Sequence, residues 1–544
     1  MSFQKTIPLY PHVAPEPGTP LVEKEVNSAL FSPLQVRGLT VQNRIAVSPM
    51  GMFSANDGHL TDFHLVHYGS FATRGAALVI IEATAVAPNA RVSTGDSGLW
   101  QDSQIAPLKR VVDYIHSQGQ NAGIQLCHSG PKGSMLPLWL AKGDPMVHFP
   151  LANEESGGWP DDVWAPSAIC HGPGYPMPKE MGYKQIDLAV EQFASAARRA
   201  AEAGVDFIEL HGAHGYLINA FLSPLTNHRI DEYGGSFENR TRFLFRVLKA
   251  VRDAIPDTIV LSLRISAVEW MEWSGLDCWT LEESIQLAKL LPKAGVDILD
   301  VSSGGNHSDQ KIDVHPYYQV DLAYQIRQAI IAEDVDLLIA AVGFINNPAM
   351  AESVVRGNGV EVEQKTNGTN GDAERGKYEE PQADLVMVGR QFLRDAGFVL
   401  TAAKSLGEKV QWPLQYSKGN IGCNRNNVGQ MQNKTQNFPG YPAGQAGCSN
   451  PALQSGLRLS AANSSHPLPQ YSTRFRYQHG HSRNMQILVK EDNTRAGPWG
   501  NAENIYVPNT TPFVTIKPGM EDTAITSATP EKLVRILVNS LARS

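Results

Sequence analysis

The sequence predicts an α/β fold of the (β/α)8 TIM barrel class, and three observations favour this prediction. From residue 45 onward, short apolar runs rich in β-branched residues alternate with amphipathic stretches, as expected when helices bury parallel strands on both faces. Eight such runs are present, which is the number that closes this type of barrel. No G-x-G-x-x-G stands between a strand and a helix, which disfavours the competing doubly wound nucleotide-binding sheet.

The runs are spaced so that each can form a strand followed by a helix. The clearest helix is predicted over Asp187 to Ala203, where apolar residues recur at helical intervals and Gly204 stands at the C-terminal cap. The predicted strands are IAVS from Ile45, LVIIEA from Leu78, AGIQLCH from Ala122, VDFIELH from Val205, IVLSLRISA from Ile259, VDILDVSS from Val296, LLIAAVG from Leu337 and ADLVMVG from Ala383.

The 544 residues divide into an N-terminal extension at 1–29, the barrel at 30–418 and a C-terminal tail at 419–544. A polar, low-complexity insert at 357–382 precedes the eighth strand and is expected to be disordered. As a connection from a helix to a strand, it lies at the barrel face opposite the catalytic one. The tail is rich in Asn, Gln, Gly, Ser and Pro and is expected to be mostly irregular, with a last helix predicted at 530–541.

Composition and charge disfavour several classes of protein. The chain has 46 Lys and Arg against 54 Asp and Glu, a net charge of −8, without a basic run that would follow nucleic acid. Its five scattered cysteines form no CxxC pair, so a zinc site, an iron–sulfur cluster and a disulfide framework are not predicted. Prolines interrupt the N-terminus, and no apolar stretch is long enough to span a bilayer. We expect a cytoplasmic protein, with homo-oligomer formation left open.

The ends of the predicted strands carry the candidate functional residues, since barrels of this class build their sites there. Arg264 interrupts an apolar strand, so a buried anionic partner is expected for its guanidinium. The first strand ends in a turn of small residues against which a flat ring can lie, Ser48-Pro49-Met50-Gly51-Met52-Phe53. Later strands end in Glu82-Ala83, in Gln125 and His128, and in His211-Gly212-Ala213-His214-Gly215-Tyr216.

These strand ends resemble those of the old yellow enzyme family, most closely its thermophilic-like branch of NADPH dehydrogenases. The resemblance runs from about Leu30 to about Tyr416, and its most specific part runs from His211 to Phe243. The family fold is a (β/α)8 barrel with FMN across its mouth, which agrees with the independent strand count. The motifs are SPMGMFS, IIEATAV, GIQLCHSG, HGAHGYLINAFLSPLTNHRIDEYGGSFENRTRF, LRISA and VMVGRQFLRD.

The resemblance implies an FMN site built from ten residues. Two-electron reduction leaves negative charge near flavin N1 and the C2 oxygen, which a guanidinium stabilises. That edge is expected to contact Gln125 and Arg264. The phosphate is expected at the mouth of strands seven and eight, against Gly343, Gly389 and Arg390. The residues expected to line the flavin ring are Ser48, Pro49, Met50, Gly51 and Ala83.

The resemblance also implies an ene-reductase reaction. NADPH reduces FMN and leaves, and an α,β-unsaturated ketone, aldehyde or nitroalkene takes its place. His211 and His214 are expected to donate hydrogen bonds to the substrate oxygen, hydride passes from flavin N5 to the β carbon, and Tyr216 protonates the α carbon. The other residues expected in the substrate pocket are Phe53, Gly212 and Ala213.

A metal site at His211 and His214 is the alternative for that pair, but no third ligand stands nearby, so no metal is predicted. The chain as a whole has two alternative interpretations. A relative with an iron–sulfur cluster needs four closely spaced thiolates, which Cys423 and Cys448 cannot supply. A non-catalytic flavin-binding barrel whose tail binds a partner remains the alternative to the enzyme. As an enzyme, the chain could serve a specialised biosynthetic pathway.

The chain departs from the family's pattern in the pocket and near the end of the barrel. Gly51 stands where the branch usually has Cys, and Phe53 where it usually has Tyr, so a thiol and a hydroxyl are missing. Lys418 matches the Arg that in the branch enters the neighbouring subunit's site. The usual His-Ala-Gly-Arg-Lys after strand three reads His128-Ser129-Gly130-Pro131-Lys132.

Overall fold

The computed structural model describes residues 15–21, 27–140, 150–357 and 378–416, together with the backbone of 474–477 and 485–488. The chain forms two compact units, Met1–Thr435 and Gln436–Ser544. The strands of the described residues, β1 to β14 in chain order, are Leu34–Val36, Leu39–Val41, Ile45–Val47, Leu78–Ala85, Asn121–Cys127, Trp164–Ala165, Lys179–Glu180, Phe207–Gly212, Val260–Ser266, Ile298–Ser302, Leu338–Val342, Leu385–Val388, Arg474–Tyr477 and Met485–Leu488.

Eight of these strands close into a parallel barrel, in the order β3, β4, β5, β8, β9, β10, β11 and β12, with β12 pairing back onto β3. Each lies on one of the eight predicted runs, so the (β/α)8 prediction is confirmed. The helices α1 to α10 are Asp62–Ala72, Ile105–Ser117, Tyr183–Ala203, Leu217–Leu222, Phe237–Ala254, Leu281–Leu290, Val320–Ile331, Pro348–Arg356, Arg390–Arg394 and Phe398–Ser405.

Helix α3 illustrates how the sequence sets an element. Its buried residues recur along one face, and Gly204 ends it in the left-handed conformation, with φ of 92°. The predicted C-terminal cap is therefore confirmed. The helix begins at Tyr183, one turn before the predicted start at Asp187. Gly182, which has extended backbone, is its N-cap.

A recurring aspartate joins neighbouring barrel strands at their amino ends. Asp206 accepts a hydrogen bond of 2.8 Å from the backbone N–H of Ala122, which belongs to the preceding barrel strand. Asp297 accepts one of 2.9 Å from the N–H of Leu261 in the same way. Asp384 repeats the contact with Ile339 at 2.9 Å. Each carboxylate satisfies a strand N–H that would otherwise lack a partner at the barrel rim.

The β1–β2 hairpin covers the amino end of the barrel. Val36, Leu39 and Val41 lie in one buried cluster with residues of the barrel interior, including Phe207 and Val260. Because the hairpin covers that end, a ligand can reach the barrel at the opposite, carboxyl end.

The predicted extension, insert and tail are described only in part. Gly18 of the extension donates its N–H to Gln411 O at 2.9 Å, so this stretch packs on the end of the barrel unit. From the predicted insert, Gln382 is buried and donates its N–H to Val354 O. Residues 358–377, Lys418 and the predicted helix at 530–541 lie outside the described residues. In the second unit, β13 and β14 form an antiparallel pair.

Candidate active site

The predicted site residues lie at the carboxyl ends of the barrel strands, opposite the hairpin. His211 of β8 is the register partner of Arg264 of β9, and both side chains are buried. Ala83 of β4 is likewise the partner of Gln125 of β5. Ser48 follows β3 directly and donates its N–H to Val388 O at 2.9 Å. Parallel pairing therefore brings these five predicted residues to one end of the barrel.

The two histidines and the tyrosine of the β8–α4 loop form one aromatic cluster. The ring centroid of His211 lies 5.1 Å from that of His214 and 4.8 Å from that of Tyr216, with the rings nearly perpendicular. His214 has φ of 60°, a conformation that costs a non-glycine residue about 1–3 kcal/mol. A hydrogen bond from its N–H to Ser266 Oγ at 2.9 Å helps to hold it there.

Hydrogen bonds fix how each imidazole can donate. The N–H of Ala213 donates to Nδ1 of His211 at 3.3 Å, so a neutral His211 carries its proton on Nε2. Nε2 of His214 pairs with Ser302 Oγ at 2.7 Å. When the Ser302 hydroxyl donates, the proton of His214 is on Nδ1, which has no partner among the described residues. Each ring then keeps one N–H for an external acceptor.

Both imidazoles are held neutral. The pKa of His214 is lowered to about 3, mainly by burial and also by the positive charges of Arg264 and Lys132. Burial also lowers the pKa of His211 well below its usual range, with His214, Arg264 and Lys132 adding to the effect. The pair can therefore polarise an oxygen by hydrogen bonding without carrying charge.

Tyr216 stands at the start of α4, with its hydroxyl unpaired within the described part of the chain. Burial raises the pKa of its phenol well above 10, and nearby ionisable groups raise it further. The hydroxyl therefore stays protonated at physiological pH.

Lys132 is a residue of the site that the sequence analysis noted only as part of a variant motif. Its ammonium donates to the carbonyls of His214 at 3.1 Å and Gly305 at 3.0 Å, and it lies 5.6 Å from the ring centroid of Tyr216. Burial lowers its pKa to about 8. Lys132 thus joins the loops that follow β8 and β10, and its charge acts on both His211 and His214.

His171 and Tyr175 approach the same region from the long loop between β6 and β7, and no sequence signal singled them out. Their rings meet edge to face at 4.7 Å. The pKa of His171 is lowered to about 3, mainly by burial and also by the charge of Lys132. The loop position of both residues is set by tertiary packing and leaves no periodic pattern in the sequence.

The buried Arg264 pairs with two protein carboxylates, which the prediction of an anionic flavin as its partner did not include. Nε of Arg264 donates to Asp300 Oδ2 at 2.7 Å and lies 3.5 Å from Glu209 Oε1. Nη2 donates to the same Asp300 oxygen and to Ser48 Oγ at 2.9 Å. Nη1 has no acceptor among the described residues. Glu209 and Asp300 both interrupt apolar strands, as Arg264 does, so the same sequence signal could have found them.

The carboxylates beside Arg264 resist ionisation. The pKa of Glu209 is raised to about 8, mainly by burial, against the attraction of Arg264 and with a further contribution from the negative charge of Asp300. Burial raises the pKa of Asp300 as well, again against the attraction of Arg264. The two acids are coupled, so their protons belong to the pair and not to either residue.

A buried histidine–glutamate pair supports the turn that follows β3. Glu82 accepts the N–H of Met52 at 2.5 Å with one oxygen and contacts Nε2 of His64 at 3.0 Å with the other. Both His64 and Glu82 are fully enclosed. This pair fixes the backbone of the turn in which Gly51 and Phe53 replace the usual Cys and Tyr.

The side chain that position 51 can carry depends on the ring of Phe53. Gly51 is exposed, and a Cβ built on it would lie 3.3 Å from Cζ of Phe53. Phe53 has φ of 53°, which folds its ring back over the glycine. The aromatic ring therefore occupies space that a longer side chain at position 51 would need.

Ala83 reaches the surface of the site through an irregularity of β4. The register shifts between Ile81 and Ala83, which is the mark of a β-bulge. Ala83 is partly accessible, while its neighbours Glu82 and Thr84 are buried. The predicted contact of Ala83 with a flat ring is compatible with this exposure.

The glycines predicted to hold a phosphate lie on neighbouring loops. Gly343 follows β11 with φ of 108°, and a Cβ there would lie 2.5 Å from Nε2 of Gln319. Gly389 follows β12, and Arg390 is exposed, with its guanidinium 5.6 Å from the ring centroid of Phe344. The loops that follow β11 and β12 thus meet, and the guanidinium of Arg390 lies next to the loop that contains Gly343.

Gly212 and Ala213, predicted to contact substrate, are both buried. Gly212 belongs to β8, and a Cβ on it would lie 2.9 Å from Arg264 O. Ala213 supplies the N–H that orients His211. These two residues position the imidazoles, and their direct contact with substrate stays a prediction.

The residues present suit FMN. Arg264 offers Nη1, a cationic donor for which the described residues provide no acceptor, for an anionic ring edge. The turn around Gly51 exposes backbone for a flat ring, and Gly343 with Arg390 offers a small concavity and a cation for a phosphate. Within the ranges that the structure describes, no three His, Cys, Asp or Glu side chains converge so as to hold a metal ion.

Comparisons with known proteins agree with this geometry. The profile of the NADH:flavin oxidoreductase / NADH oxidase family matches residues 29–364. An NADH:flavin oxidoreductase of Gibberella zeae is 40% identical over 398 residues, covering 72% of this chain and 88% of the relative. An NADPH dehydrogenase of Bacillus subtilis is 38% identical over 393 residues, covering 72% of this chain and 98% of the relative.

Solved structures show the same fold. A 2-naphthoyl-CoA reductase in complex with 2-naphthoyl-CoA has a TM-score of 0.56 at 22% identity, covering 69% of this chain and 52% of that chain. Morphinone reductase has a TM-score of 0.52 at 24% identity, covering 71% and 91%. In the described residues, no helix has the length and apolar character needed to cross a bilayer.

The family profile covers more than half of the chain, and both relatives align over most of their own length. The aligned region includes the barrel strands that carry the histidine cluster and Arg264. The chain therefore belongs to the NADH:flavin oxidoreductase / NADH oxidase family, the old yellow enzyme family of FMN-dependent oxidoreductases.

Proposed function

We propose that the protein is an ene-reductase that takes reducing equivalents from NADPH through FMN and reduces activated C=C bonds. The observation that carries the proposal is the pair of neutral imidazoles, His211 and His214, beside the protonated hydroxyl of Tyr216 and next to the guanidinium of Arg264. Such a site suits an α,β-unsaturated ketone, aldehyde or nitroalkene, because each has an oxygen that accepts hydrogen bonds and is conjugated to an electrophilic β carbon.

FMN, when bound, supplies a hydride donor that NADPH replenishes. Arg264 and Gln125 would hold its pyrimidine edge, with the turn from Ser48 to Gly51 against the ring. Gly343 and Arg390 would hold the phosphate. The NADPH dehydrogenase of Bacillus subtilis supports NADPH as the reductant, since it is 38% identical to this chain.

His211 and His214 would bind the substrate oxygen. Nε2–H of His211 and Nδ1–H of His214 are the donors left free by the contacts with Ala213 and Ser302. Because both rings are neutral, the oxygen is polarised without being protonated, and negative charge that develops on it meets two fixed dipoles. Removal of one such donor typically costs about a hundred- to a thousand-fold in rate.

Tyr216 would supply the proton. Its hydroxyl donates to the α carbon as the β carbon gains hydride, and the resulting phenolate recovers a proton from solvent. General acid catalysis of this kind typically contributes about a hundred- to ten-thousand-fold.

Anaerobic stopped-flow absorbance separates the two half-reactions. NADPH should bleach the flavin band of the FMN-loaded protein, and a cyclic enone should restore it. Tyr216→Phe should leave bleaching unchanged and slow restoration by about a hundred-fold or more. Tyr114→Phe removes a hydroxyl from α2, where it contacts Thr73, and serves as the matched control. A protein that binds FMN but is not bleached by NADPH would refute the proposed function.

A further inference from the structure

A buried acid pair lies behind Arg264, and the proposed reaction does not use it. Glu209 and Asp300 are completely enclosed, on β8 and β10 on either side of the β9 strand that carries Arg264. One guanidinium faces two carboxylates. If both acids were ionised, the cluster would carry one net negative charge in a fully enclosed site.

One proton resolves a gap in the hydrogen bonding of this cluster. Oδ1 of Asp300 is buried and has no hydrogen-bond partner among the described residues, whereas Oδ2 accepts from Arg264. Nε of Arg264 lies 2.7 Å from Asp300 Oδ2 and 3.5 Å from Glu209 Oε1, so the two carboxyls are neighbours, and a proton on Glu209 would supply the missing donor. A shared proton makes the cluster neutral overall, with one guanidinium and one negative charge.

This inference rests on the proposed function, in which FMN binds at Arg264. We propose that at alkaline pH, where the Glu209–Asp300 pair has lost its shared proton, the pair takes up a proton from solvent when the flavin is reduced. Hydride transfer from NADPH adds two electrons and one proton to FMN and releases NADP+. The site therefore gains one negative charge. A proton on the pair cancels that gain, and electrons and atoms balance without a further oxidant or reductant.

The groups around the pair leave Arg264 as its main electrostatic partner. On β5, Gln125 donates its amide to Glu209 Oε1 at 2.8 Å. On β9, the hydroxyl of Ser262 donates to Glu209 Oε2 at 3.1 Å, and Arg264 contacts both acids. The Gln125 amide and the Ser262 hydroxyl are both neutral. The protonation of the pair therefore depends mainly on the charge of Arg264 and of the flavin proposed to bind there. Glu209 and Asp300 act through Arg264 and are positioning residues. Burial raises the pKa of each, which supports a proton shared at neutral pH.

The flavin midpoint potential of the holoenzyme, measured against pH by dye equilibration, tests the proposal. Each proton taken up with two electrons changes the potential by about 30 mV per pH unit, because one pH unit is a tenfold change in proton activity. In the parent protein the slope should steepen from about 30 to about 60 mV per pH unit in the alkaline range. Glu209→Gln, whose amide can donate permanently to Asp300 Oδ1, should hold the shallow slope throughout and a more positive potential at alkaline pH.

Glu269→Gln is the matched control. Glu269 is another buried carboxyl whose pKa burial raises, but its partners are Ser223, Asn306 and Trp279 and not Arg264. This variant should keep the steepened slope. Asp300→Asn provides the second change in the pair and should also abolish the steepening.

Redox difference infrared spectra of the unaltered holoenzyme give a test that needs no variant. At alkaline pH, reduction should produce a band of a protonated carboxyl, and Glu209→Gln should remove that band. A uniform slope in the parent protein, equal to that of Glu209→Gln, with no such band, would overturn the proton uptake while leaving NADPH-dependent bleaching intact. A protein that fails to bind FMN would overturn both the uptake and the proposed function.

Discussion

Replacement of Gly343 by alanine should weaken FMN binding at the predicted phosphate loop. The residue has φ of 108°, outside the region that alanine adopts easily. A Cβ would lie 2.5 Å from Nε2 and 3.0 Å from Cδ of Gln319. Gln319 cannot withdraw freely, since it is buried, donates to Val342 O at 2.8 Å and accepts from Ser303 Oγ at 3.0 Å.

Two costs add for Gly343→Ala. Backbone strain contributes about 1–3 kcal/mol. Displacement of Gln319 leaves at least one buried polar group unpaired, which contributes about 1–3 kcal/mol more. If displacement of the loop relieves about half of this cost, the free energy of FMN binding becomes less favourable by that amount. FMN should then bind about ten- to a hundred-fold more weakly, since each 1.4 kcal/mol is about tenfold.

Titration of FMN fluorescence gives the affinity, and a thermal melt of the FMN-free protein gives the stability. Gly407→Ala is the control, because Gly407 also has positive φ, at 76°, but no atom lies within 4 Å of a Cβ there. That variant should lose stability and keep FMN affinity. The reasoning is refuted if Gly343→Ala binds FMN as tightly as Gly407→Ala does.

Two further changes test the electrostatics and the packing of the site. Lys132→Met removes a positive charge that lowers the pKa of His214, so an NMR titration should find that pKa raised from about 3. The pKa of Lys132 itself is about 8 in the folded protein, against 10.5 for an exposed lysine. Burial of the charged ammonium therefore lowers the free energy of unfolding by its full amount below pH 8, and this loss diminishes as pH rises from 8 to 10.5. Stability of the parent protein should accordingly rise over that window relative to Lys132→Met in denaturant titrations, and equal slopes would contradict the burial argument. Gly51→Cys should displace the ring of Phe53 and raise KM for the enone, whereas Gly51→Ala should change it little. The double variant with Phe53→Ala should recover much of the loss, and strictly additive effects on KM would refute the coupling.

The barrel could be predicted from the sequence because its strands are buried on both faces. Each of the eight runs, from Ile45 to Ala383, is a nearly continuous apolar segment bounded by polar residues, a pattern that few other folds produce eight times. The end of α3 could be predicted for a related reason, since Gly204 supplies a left-handed cap that most residues adopt only at a cost. In both cases the signal is local in the chain.

The environment of Arg264 could be predicted only in part. Its interruption of an apolar strand indicated a buried anionic partner, but Asp300 lies on a different strand, and only the register of β9 with β10 pairs Asp300 with Arg264. Lys132 was noted only within a variant motif, and no sequence signal indicated His171 or Tyr175, because their place at the site depends on how loops pack. The burial of Gly212 and Ala213 was likewise invisible in a motif that presents them as neighbours of two histidines.

The sequence by itself determined the periodic elements, their number and the residue types at the strand ends, because helix and strand formation depend on neighbours within a few positions. Only the tertiary structure decided which charges face each other, which imidazole nitrogen is left to donate and which carboxyls face the same guanidinium. Those properties arise where strands far apart in the chain meet in the enclosed interior, and there a single N–H, that of Ala213, sets which nitrogen of His211 carries the proton.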